Sequence, residues 1–170
     1  MKSTMKFRQS KNITQGFTLI ELIVVIVILG ILAATVAPKY IDLTADAHTA
    51  TLEAVKGSLE GASVLVYSKS IVAGNQNVSS GTTPTPTIEL PDGALIINYG
   101  YPIVANDTET YWRRLIDIST EFTITNINGV LLIYPKELED TVLSTGTCAV
   151  TYINSTGENE KPTITLFECE

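Results

Sequence analysis

The sequence predicts an α+β protein: one long N-terminal helix, a transmembrane stalk in its first half and amphipathic in its second, packed on an antiparallel β-sheet head. Three observations carry this prediction. Residues 17–37 form an apolar run whose only charge is Glu21. A stripe at Ile41, Ala45, His48, Leu52, Val55, Leu59, Ala62 and Val66 follows at alternating four- and three-residue spacing, the signature of one helix face. The last third holds short β-prone runs separated by turn residues. A length of 170 residues suits one domain plus a helical stalk.

Residues 1–16 carry Lys2, Lys6, Arg8 and Lys11 and no acid. Positive charge ahead of an apolar run holds that end in the cytoplasm. At about 1.5 Å per residue, residues 17–37 span a bilayer core of about 30 Å. The run ends in Leu32, Ala33, Ala34, Thr35, Val36, Ala37 and Pro38, a poor signal-peptidase site. Glu21 is out of place in a signal core. On insertion scales a mid-bilayer acid costs about 2.5–3.5 kcal/mol. Cleavage before the run, after Gly16, would free an amine on Phe17, the cation that Glu21 lacks.

Gly16, Phe17, Thr18, Leu19, Ile20 and Glu21, with the apolar run to about Leu32, resemble the prepilin signature of type IV pilins and of type II secretion pseudopilins. The resemblance implies a cleaved leader at 1–16, longer than most of the type IVa class, with Met5 as a second candidate start. It implies prepilin peptidase cleavage between Gly16 and Phe17 and N-methylation of Phe17. It implies that Glu21 pairs with the N-terminal amine at Phe17 of a neighbouring subunit during assembly. Gly30 and Pro38 interrupt the helix. Proline removes a hydrogen bond and crowds the preceding turn, which gives a simple kink. The resemblance implies more: a 30–38 stretch that is helical in the monomer and partly melted in the fibre.

The amphipathic half, residues 38–73, sets the seam against a polar face of Asp42, Asp46, Glu53, Lys56 and Glu60. Gly74 is expected to end the helix as its C-cap. His48 lies in the seam and is expected to be a packed or partly solvated contact between helix and head. No second histidine completes a ligand set. Gly57 and Gly61 form a small-xxx-small pair outside the apolar segment. They are expected to admit a close-lying strand or loop of the head.

Residues 74–93 are rich in Ser, Thr, Asn, Gly and Pro and read as a surface loop joining helix to sheet. Asn77, Asn106 and Asn154 open N-glycosylation patterns, matches near the chance level. The head, residues 94–170, offers strands at 94–99, 121–127, 130–134, 147–153 and 163–168. Asn128-Gly129 predicts a hairpin turn, and residues 110–118 a short helix around Tyr111, Trp112, Leu115 and Ile116. Two cysteines, Cys148 and Cys169, lie where an exported head keeps disulfides. Their bridge would stabilise by about 3 kcal/mol on the chain-entropy model; two free thiols are the alternative.

No Walker loop, HExxH, GxSxG or dinucleotide fingerprint occurs, and no enzyme activity or cofactor is expected. Asp117 with Glu121 reads as solvated surface rather than an acid–base pair. Glu137, Glu139 and Asp140 lack the spacing of a calcium loop, and no metal is expected. Taking the four leader cations from the 11 basic residues leaves 7 against 18 acidic ones, a net of −11. Such a surface argues against nucleic-acid partners and suits an exposed extracellular head.

Residues 37–48, 51–62, 66–69, 99–102 and 147–169 resemble major pilins of the mannose-sensitive haemagglutinin type from marine gammaproteobacteria. The resemblance implies a single-pass inner-membrane protein with a periplasmic head before assembly. It then implies a homopolymeric extracellular pilus for adhesion and biofilm formation. The partners implied are prepilin peptidase/methyltransferase, the inner-membrane pilus assembly machinery and minor pilins. The alternative is a pseudopilin of a type II secretion system.

Overall fold

The computed structural model describes residues 17–104 and 108–170. Gly16 and the rest of the leader lie outside the described residues, as does Asn106, and so do the side chains of Pro38, Ile41 and Asp42. The chain divides into two compact units, Met1–Tyr40 and Ile41–Glu170.

In the first unit the described backbone is helical from Leu19 onward. Leu19–Val36 is long and apolar enough to cross a membrane, with a mean hydropathy of 3.0 and none of it buried within the subunit. The helix, α1, runs Leu19–Ala73, starting two residues later than residue 17. Its backbone is unbroken through Gly30 and Pro38.

In the second unit the rest of α1 carries the predicted seam. Leu52, Val55, Leu59, Ala62 and Val66 are buried, and Ala45 and His48 are half-buried. Gly74 closes the helix at φ 72°. Its N–H donates to Ile71 O at 3.1 Å and that of Asn75 to Ser70 O at 3.1 Å, the paired bonds of a Schellman cap.

Two antiparallel sheets pack on this face. The first orders β1 (Thr87–Leu90), β2 (Gly93–Asn98) and β3 (Tyr101–Pro102). The second orders β4 (Phe122–Ile127), β5 (Val130–Pro135), β6 (Ala149–Ile153) and β7 (Thr163–Phe167). Between the sheets comes α2 (Thr108–Arg113). A 3-10 turn (Lys136–Leu138) and α3 (Glu139–Thr145) link β5 to β6. Leu52, Val55, Leu59 and Ala62 join Trp112, Leu131, Ile133 and Tyr152 in the main core. Val66 joins Ile88, Leu95 and Ile97 in a second cluster.

The hairpin at Asn128-Gly129 has φ values of 54° and 84°, as a type I′ turn requires. Four expectations need correction. The 74–93 loop contains β1, held by pairing with β2 although its own alternation covers only Ile88 to Leu90. The 110–118 helix is instead Thr108–Arg113, and Leu115 and Ile116 follow in a turn on Trp112 O. The strand expected from 147 begins at Ala149, because Cys148 sits at φ 59°, outside the β region. Gly57 and Gly61 admit nothing from the head: no atom lies within 4 Å of where either Cβ would stand. They lie on the exposed face, turned from the seam.

Candidate assembly site

The start of α1 is built by its own sequence. Thr18 precedes the first helical residue, and Glu21 stands three positions on. Glu21 Oε2 accepts the Thr18 N–H at 2.8 Å and the Thr18 Oγ1 hydroxyl at 2.7 Å. The Glu21 N–H in turn donates to Thr18 Oγ1 at 3.4 Å. This reciprocal arrangement is a capping box, and it satisfies helix-start donors that would otherwise lie bare. Sequence reasoning weighed Glu21 by its charge and missed Thr18. The signal was present in the Thr-x-x-Glu spacing.

Phe17, next to this cap, is 86% exposed. The apolar residues that follow are exposed all round, Leu19 to Val36 among them. Among the described residues no cation pairs with Glu21. The site therefore offers three things: a terminal phenylalanine, a carboxylate held by local donors, and an uncovered apolar helix. Burying such a surface yields about 25 cal/mol per Å². An acid placed in it penalises any partner that brings no compensating charge.

The second unit fixes its sheet end with the expected bridge. Cys148 and Cys169 are joined, with Cα atoms 4.1 Å apart. Cys148 N–H donates to Glu168 O at 3.0 Å beside it. The bridge thus closes the open end of the β6–β7 hairpin. Cys169 N–H donates to Thr49 Oγ1 of α1 at 3.0 Å. One turn away, His48 Nε2 lies 3.4 Å from Glu137 Oε1, so the lone histidine is a contact between helix and head. Tyr152, edge-on to Trp112 at 4.6 Å, donates to Pro102 O at 2.7 Å. Burial raises its phenol pKa well above the ordinary value. Among the described residues no group of three His, Cys, Asp or Glu side chains could hold a metal.

A capped apolar helix of this kind, joined to a disulfide-closed sheet unit, defines a class of membrane-anchored structural subunit. Residues 11–37 match the family model for the prokaryotic N-terminal methylation motif. The chain is 36% identical over 89 residues to the type IV narrow pilus major component PilA5 of Thermus thermophilus, covering 49% of this chain and 77% of that one. It is 39% identical over 75 residues to the fimbrial protein EcpC of Eikenella corrodens, covering 44% of this chain and 49% of that one. A fimbrial protein of Pseudomonas aeruginosa is 40% identical over 73 residues, covering 43% and 44% respectively. The chain thus spans about half the length of these two fimbrial relatives. No solved structure matches the chain. The chain belongs to the type IV pilin family, which is structural rather than enzymatic.

Proposed function

We propose that this chain is the major subunit of a type IV pilus that serves adhesion and biofilm formation. Before assembly it spans the inner membrane once through α1, with its head in the periplasm. The peptidase cuts between Gly16 and Phe17 and methylates the new amine. Subunits then polymerise by packing their apolar helices together, and minor pilins and the inner-membrane machinery start and drive the fibre. The observation that carries this reading is the capped, wholly exposed helix with one carboxylate four residues from Phe17. Hydrophobic burial supplies most of the stability. Glu21 supplies register, because a buried carboxylate without a partner penalises docking out of step.

The test is the intact mass of the protein in material sheared from the cell surface. The expected species starts at Phe17, carries one added methyl group and lacks two hydrogens for the bridge. A processed form confined to membranes would support a pseudopilin instead. An uncut N-terminus would reject both.

A further inference from the structure

Beyond Val66, α1 and the three-stranded sheet leave an open groove of about 750 Å³. Leu65, Val66, Val72, Ile88, Leu90 and Leu115 line it, together with Lys69 and Arg114. Val72 is 90% exposed. Arg114 is the unusual member. Its Nε and Nη2 are shut off from solvent and have no hydrogen-bond partner. A guanidinium keeps its charge at any physiological pH, and buried donors left unmet are costly. Lys69 Nζ donates to Glu89 O at 3.4 Å, a neutral acceptor. Among the described residues neither cation is paired with a carboxylate. The groove therefore lacks an acceptor, and its missing occupant brings a carboxylate on an apolar body.

The same unit carries such a surface. The 3-10 turn and α3 present Glu137, Glu139 and Asp140 beside the exposed Leu143. The contact of Glu137 with His48 places this edge at the His48 level of α1. His48 and Lys69 lie about 30 Å apart along a helix rising about 1.5 Å per residue. Acidic edge and cationic groove thus occupy opposite ends of one unit. Complementary patches at opposite ends make a head-to-tail contact that does not close on itself, so it propagates.

We propose that the Lys69–Arg114 groove receives the acidic Glu137–Leu143 edge of a second copy of this chain. The proposal rests on the filament reading and adds a head-to-head contact to the helix packing. Full-length Lys69→Glu/Arg114→Glu is expected to lower sheared filament at least tenfold. Membrane-stage subunit with its bridge closed should stay at the wild-type level. Glu139→Lys/Asp140→Lys should lose filament similarly, and the fourfold swap should regain most of it. Unchanged yield in the first variant, or no recovery in the swap, overturns the contact.

Should the reversals lower the membrane-stage level, Arg114→Cys/Asp140→Cys decides. Filaments of that variant should give a ladder of disulfide-linked multimers without reductant, and no ladder overturns the contact. An anionic lipid or small anion retained in wild-type filaments and lost in Arg114→Glu also overturns it. If processed wild-type protein forms no filament, the filament reading fails and this contact falls with it. Normal wild-type filaments with indifferent variants reject the contact alone.

Discussion

At Glu21 two roles share one side chain, and substitutions can separate them. As cap, the carboxylate accepts the Thr18 N–H and hydroxyl; as charge, it awaits an amine. Glutamine also serves in a capping box but cannot pair with a cation. Glu21→Gln is therefore expected to be cleaved normally and to assemble poorly. Thr18→Ala should weaken the helix start by about 1 kcal/mol and keep most of its filaments. Immunoblots of membrane and sheared fractions give both readings. Normal filament yield from Glu21→Gln would mean that capping, not charge, is what assembly needs.

The tyrosines give a second residue-scale expectation. Tyr111 donates to Ile96 O at 2.5 Å, and burial pushes its phenol up to about 12. Burial raises Tyr152 further still. A phenol that holds its proton more tightly when folded makes the folded state bind more protons between the two pKa values. Stability is then whole below pH 10 and falls as pH rises through about 12, by about 1.4 kcal/mol per pH unit for each such group. Alkaline melts of the full chain in detergent should show this fall, and Tyr111→Phe should flatten it. An unchanged slope would deny Tyr111 the role.

Among the elements, α1 has two faces of opposite consequence. Leu59 is fully buried in the main core, and Leu59→Ala should cost about 2–5 kcal/mol. Gly57 and Gly61 face open space. Alanine there avoids the entropic penalty of helical glycine, so each change should stabilise the subunit by roughly 0.5–1 kcal/mol. Thermal melts of detergent-solubilised protein check both, and a destabilised Gly61→Ala would reveal an overlooked contact. The seam was legible because its period was long and regular, and so was the type I′ turn, because Asn-Gly is specific. The element β1 was not, since three residues of alternation inside a Pro- and Thr-rich stretch carry little signal without the partner strand. Short α3 was hidden as well: Val142 is its one buried residue, so no stripe formed. Gly57 and Gly61 misled because spacing shows proximity on a helix but not which side the sheet covers. At the site, the Glu21 carboxylate was conspicuous, whereas the unmet Arg114 guanidinium depends on long-range packing that one sequence does not display.

For the whole molecule, the decisive question is what assembly does to α1 between Gly30 and Pro38. In the subunit the backbone is helical throughout this stretch. It is nonetheless the weakest part of the helix. A helical Gly costs about 1 kcal/mol and a helical Pro about 3 kcal/mol relative to Ala. Proline also leaves the carbonyl four residues earlier without its N–H partner. The compact-unit boundary at Tyr40–Ile41 follows just beyond. Close packing of helices in a fibre can recover more than this stretch contributes, so local melting there would let the apolar segment and the head satisfy separate contacts. The expectation is a filament map with broken helix between 30 and 38. In Gly30→Ala/Pro38→Ala filaments the helix should be continuous, and the fibre should extend less under load. Continuous helix in the wild-type map would reject the melting and leave Pro38 a simple kink.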